Sequence, residues 1–181
     1  MKLLAERRSE ADTRPHDLRS PPLATDLGLL LLRLSVGLLL AGHGAQKLFG
    51  LFGGPGLAAT GKGFAALGYR PGEVYAGVAG ASELLGGLGL VLGFLTPLAA
   101  AALIGVMINA MVLAVPKGVW VNNGGLEYPL CIAAVALSIA AIGPGRFALD
   151  RFFRWRDGGL ICAAVALGAG GLGAAIVLLA T

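Results

Sequence analysis

Residues 84–116 read LLGGLGLVLGFLTPLAAAALIGVMINAMVLAVP, without a single formally charged side chain. A helix crosses the hydrocarbon core of a bilayer in about 20 residues, so this stretch is too long for one crossing. It is also too apolar for the surface of a soluble domain, about a quarter of whose residues are charged. Thr96-Pro97 divides it, because proline ends one helix and is tolerated in the first turn of the next. The predicted unit is a tight helical hairpin inside a membrane, and the rest of the chain extends it.

Only 13% of the 181 residues are charged, 56% are hydrophobic, and the mean hydropathy is +0.80. The thirty glycines sit mostly within apolar runs, as expected of helices that pack closely in lipid. Gly89 with Gly93, and Gly170 with Ala174, are four apart and read as faces for close backbone approach. Besides the hairpin, spans about 73–95 and 97–115, crossings are predicted at about 27–48, 126–143 and 159–180. Asp26 is the candidate N-cap of the first span, and Pro129 falls in the tolerated first turn of the fourth. The fold expected is an all-α transmembrane bundle of five helices.

Aromatic residues check the division. Phe49, Phe52, Tyr69, Tyr75, Phe94, Trp120, Tyr128, Phe147, Phe152, Phe153 and Trp155 fall at span ends or in connections, as in an interfacial belt. Phe64 lies inside the long connection 49–72, whose middle is a candidate for a short interfacial helix.

The net charge of +4 does not point to nucleic acid, because no basic stripe interleaves with aromatics. Lys2, Arg7, Arg8, Arg14, Arg19, Arg146, Arg151, Arg154 and Arg156 would share one side, against Lys47, Lys62, Arg70 and Lys117 on the other. That asymmetry places the N-terminus inside and the C-terminus outside. Residues 1–25 lack the apolar core of a signal peptide and read as a polar cytoplasmic arm. Cys131 and Cys162 lie singly in separate spans, near opposite ends, so no disulfide is expected.

Polar side chains inside spans are costly and therefore functional candidates. They are Arg33, His43, Gln46 and Lys47 in the first span, Glu83 in the second, Asn109 in the third and Glu127 opening the fourth. Arg33 lies about 9 Å above the inner end of its span, and Glu83 lies about 15 Å deep in its own. An Arg33–Glu83 pair follows if the two spans pack together, with snorkelling as the alternative for Arg33. Lys47 reads as a snorkelling end residue sharing a face with His43. His43, Asn109, Asn122, Asn123 and Glu127 suggest a polar outer vestibule. His43 and Glu127 alone make a poor metal site, so no metal is expected. His43 and the distant His16 cannot serve as paired haem ligands, and nucleotide-binding glycine motifs are missing.

Arg33, the Gly42-His43-Gly44-Ala45-Gln46-Lys47-Leu48 string, Gly61 to Gly68, Glu83-Leu84-Leu85-Gly86-Gly87 and the string Gly143 to Asp150 (GPGRFALD) together resemble the DoxX family of small bacterial membrane proteins. The resemblance covers roughly 27–151. It implies a four-helix core, a bacterial cytoplasmic membrane and a redox setting, since relatives are subunits of quinone-linked oxidoreductases. It points to Arg33, His43, Lys47, Glu83 and Glu127 as locations without assigning roles. The organisation expected is an arm at 1–25, a DoxX-like domain at 26–151, and an additional C-terminal helix at 152–181. The function expected is an accessory subunit of a membrane redox complex, with lipid and other membrane subunits as partners. No covalent or motif-bound cofactor is expected, and quinone is the candidate ligand. The alternatives are a small transporter or channel, and an assembly subunit with no chemistry of its own.

Overall fold

The computed structural model describes residues 23–153 and 155–181. The expected N-terminal arm lies outside these residues except for its last three, which open the first helix. Among the described residues there are six α-helices and no strands: α1 Leu23–Phe49, α2 Gly56–Ala66, α3 Gly72–Leu92, α4 Thr96–Ala114, α5 Glu127–Ile142 and α6 Leu160–Leu179. Five of them are the five predicted spans, each within a few residues of the expected ends. The sixth, α2, is the short helix expected in the 49–72 connection.

By length and composition, α1, α3, α4 (with the turn that follows it) and α6 can each cross a membrane. At 16 residues, α5 is shorter, about 24 Å of helix. It nevertheless runs from one end of the bundle to the other. The Tyr128 ring meets His43, with centroids 6.3 Å apart, and the Pro144 carbonyl just past its other end accepts from Arg33. A short span is accommodated by local thinning of the bilayer.

α4 is the central helix, packed against α3, α5 and α6. Neighbours on three sides explain why it has no polar face. Its Ala99, Ala100, Leu103, Ile104 and Met107 join Leu40, Leu90, Ile132, Ala136, Ile139 and Ala166 in the buried core. The hairpin predicted at Thr96-Pro97 turns at Gly93–Leu95: Gly93 takes the left-handed C-cap conformation at φ 60°, and Pro97 sits in the first turn of α4.

Between apolar helices in lipid, close backbone approach replaces the hydrophobic effect as the source of affinity. Helices α1 and α3 use it most. A Cβ placed on Gly87 would lie 2.5 Å from the Gly37 carbonyl oxygen and from the Ala41 nitrogen, and one on Gly44 would lie 2.5 Å from the Gly80 carbonyl oxygen. On α6, Gly170 faces α4, where a Cβ would lie 2.7 Å from the Ala101 carbonyl oxygen; Ala174 is buried as well. Gly87→Val should therefore separate α1 from α3 and cost about 1–3 kcal/mol. Thermal unfolding in detergent checks this, with Gly42→Val as the control, since nothing lies within 4 Å of a Cβ there. Equal melting of the two variants would contradict the crossing described.

Several expectations are corrected. Asp26 is not an N-cap: it lies inside α1, is 1% exposed, and accepts the Arg146 backbone N–H at 2.9 Å. The expectation of no disulfide stands: Cys131, exposed, and Cys162, buried, are both free thiols. Gly93 serves as a turn and leaves space for the Arg33 guanidinium, which a Cβ would approach to 2.6 Å.

Candidate functional site

Two polar constellations occupy opposite ends of the bundle. At the end where α1 begins, α3 stops and α4 starts, Arg33 is 1% exposed and donates to four backbone carbonyls. Its Nε reaches Leu90 O at 2.8 Å and its Nη2 reaches Val91 O at 2.8 Å. Its Nη1 reaches Pro144 O at 2.7 Å and Phe147 O at 3.0 Å. The last carbonyls of a helix have no intrahelical donor and carry the negative end of its dipole, so a cation at the end of α3 satisfies both. Asp150, fully buried, does the converse for α4. Its Oδ1 accepts Leu95 N–H at 2.8 Å and its Oδ2 accepts Thr96 N–H at 2.7 Å. The 143–150 segment thus straps α1, α3 and α4 together, with Asp26 holding its Arg146 backbone. This clasp uses all its charges on backbone groups and neighbouring charges and presents no open chemistry.

The expected Arg33–Glu83 pair does not form. Side chains on a helix lean toward its N-terminus. Arg33 therefore leans away from the middle of the bundle, whereas Lys47 on the same helix leans toward it. Glu83, on the antiparallel α3, leans toward Lys47. Lys47 Nζ and Glu83 Oε2 are 2.5 Å apart, with side chains 24% and 5% exposed. Lys47 is thus an ion-pair partner rather than a free snorkelling residue.

That pair lies on the wall of a cavity of about 510 Å³. His43 and Lys47 come from α1, Glu83 from α3, Asn109 from α4 and Tyr128 from α5, with Tyr69 just before α3. The remaining wall is mainly apolar, as expected of a small-molecule site. Tyr69 is buried and donates to Asn109 Oδ1 at 3.4 Å. Burial raises its phenol above the ordinary value, so it stays a protonated donor. Tyr69 stacks obliquely between Phe64 and Tyr75, with centroids 5.5 Å from each. Four residues read as belt or connection, Phe64, Tyr69, Tyr75 and Tyr128, are therefore cavity wall.

The expected vestibule is divided. His43 and Asn109 reach the cavity. Asn122 and Asn123 are exposed in the 118–126 loop, and Glu127 Oε1 accepts Val121 N–H at 2.6 Å, closing that loop. Gln46 Nε2 donates to Phe52 O at 3.3 Å and steadies the turn after α1. Sequence reasoning missed the contribution of α6: Ala169, Gly170, Gly173, Ala174 and Val177 line the cavity too. The glycines and alanines that make up 168–175 apart from Leu172 were the available signal, since small side chains leave room beside a helix.

Among family models, DoxX matches residues 28–116, which spans α1 to α4. Residues 28–116 thus carry a DoxX domain. The match contains Arg33, His43, Gln46, Lys47, Glu83 and Asn109, so the ion pair and most of the cavity's polar wall lie in the DoxX domain. It ends before α5, and the resemblance read over 117–151, including the 143–150 strap, extends beyond it. No match was found among curated proteins or among solved structures. Its apolar spans and its DoxX domain make the protein an integral membrane protein.

Proposed function

We propose that the protein is an accessory subunit of a bacterial membrane redox system, with a quinone as the ligand of its cavity. The observation that carries this reading is the part-buried Lys47–Glu83 pair on the wall of a mainly apolar chamber. A quinone has an apolar body and two polar oxygens, and the residues present fit both parts. Lys47 and the His43 ring offer donors to a quinone oxygen; Glu83 and Asn109 Oδ1 offer acceptors to a quinol hydroxyl. The bound group supplies the electron chemistry. The chain binds and orients it, with Glu83 as an acceptor beside Lys47 Nζ. The transporter reading would have to assign this same pair to substrate movement, without the inverted repeat typical of such proteins.

Purification in mild detergent followed by solvent extraction and mass spectrometry tests the proposal. Quinone should co-purify with the wild-type protein, along with subunits carrying flavin or haem absorption. A protein that retains neither quinone nor redox partners, and instead moves solute in liposomes, would favour the rival.

The proposed orientation follows the basic asymmetry, with the 49–72 side extracytoplasmic and the 143–159 side cytoplasmic. Cysteines placed at the exposed positions of Lys62 and Arg151, in a background lacking Cys131, provide the check. A membrane-impermeant reagent applied to intact cells should label position 62 and spare 151. The opposite pattern would invert the molecule.

A further inference from the structure

The cavity has a side as well as an anchor. Helices α3 and α6 both pack on α4 but share no extended interface with each other. At one end they are tied by the Tyr75 hydroxyl, which donates to the Ala180 carbonyl at 2.9 Å. Away from that tie, Val78 on α3 and Ala169 and Gly173 on α6 line the cavity and are exposed on the outer surface of the bundle. Ala169 lies about 14 Å along α6 from Leu160, at the depth of the hydrocarbon rather than of the headgroups. Glu83, at 4% exposure, lies inward of this rim.

We infer that the cavity opens sideways into the bilayer through a portal between α3 and α6, and that its ligand is a membrane-dissolved, long-tailed quinone. The head reaches Lys47 and Glu83 while the tail remains in lipid between Val78 and Gly173. This rests on the quinone reading for the head group; the portal itself rests on the rim residues alone. A water-soluble ligand has no reason to face an opening at this depth. The small residues of α6 keep the portal wide, which gives the C-terminal helix, outside the matched DoxX residues, a part in the site.

The experiment uses proteoliposomes and a long-chain alkyl diazirine dissolved in the bilayer. Photolysis should mark Glu83 and Met107, both buried and both on the cavity wall. Gly173→Trp should block the portal and reduce that labelling at least tenfold. Gly168→Trp, also exposed on α6 but absent from the cavity wall, should leave it unchanged. No atom lies within 4 Å of a Cβ placed on either glycine, so both variants should fold. Competition by a long-tailed quinone, and weaker competition by a tail-less analogue, would support the full proposal. Labelling blocked by Gly173→Trp but indifferent to any quinone keeps the portal and removes quinone as its ligand. Unlabelled Glu83 and Met107, or equal labelling in the two tryptophan variants, overturns the portal whatever the head group is.

Discussion

Arg33→Met should be the most damaging single change in the bundle, lowering stability by about 3–5 kcal/mol, as when one partner of a buried charged network is removed. Methionine keeps the length of the side chain but none of its donors. Leu90, Val91, Pro144 and Phe147 each lose a hydrogen bond to their carbonyls. Asp150, whose charge acts on the guanidinium, loses that compensation while still buried. Arg33→Lys should recover only part of the loss, because an ammonium has three donors and cannot reproduce the planar fork. Thermal unfolding in detergent should fall by roughly 10 °C for the methionine variant. A variant that melts with the wild type would show that the 143–150 strap holds without Arg33.

Glu83→Gln should cost about 2–3 kcal/mol, since it leaves the Lys47 ammonium with a neutral partner on the cavity wall. Lys47 is 24% exposed and regains some hydration, so the loss is smaller than at Arg33. Combining Glu83→Gln with Lys47→Gln should restore much of the stability, because no orphaned charge remains. Combining it with Arg33→Gln should worsen matters, because Arg33 belongs to the other constellation. The outcome distinguishes the observed Lys47–Glu83 pairing from the Arg33–Glu83 pairing expected from sequence. Recovery by the Arg33 change and not by the Lys47 change would reinstate the latter.

The bundle was legible because its evidence is additive along the chain. A charge-free run from Leu84 to Pro116, one proline break and apolar runs of crossing length determine the number and order of helices without any knowledge of packing. Depth was legible too, since rise per residue places Glu83 far from either end of α3. Register and lean were harder to read. The depths estimated from sequence favour Arg33 for Glu83, but Gly44 packs against Gly80 and Leu84, which sets Glu83 about one turn from Lys47 and about three turns from Arg33. The lean of the Lys47 and Glu83 side chains toward their helix N-termini then brings them together. Residues at span ends were ambiguous for a related reason. Tyr69 has the address of a belt aromatic, but only tertiary packing turns it inward, to 4% exposure. Asp26 and Asp150 were hidden because their partners are backbone N–H groups 120 and 54 or 55 residues away.

If the chamber walled by Lys47 and Glu83 holds a quinone, a benzoquinone analogue should bind the protein at equilibrium in lipid nanodiscs. The comparison is between wild type and the Glu83→Gln, Lys47→Gln double variant. Binding to the wild type should saturate near one quinone per chain. In the double variant it should weaken at least tenfold, about 1.4 kcal/mol or more. The variant's thermal stability should stay close to that of the wild type, so that lost affinity reports the site rather than the fold. Absence of saturable binding to the wild type, or equal affinity in the two proteins, would contradict the quinone assignment.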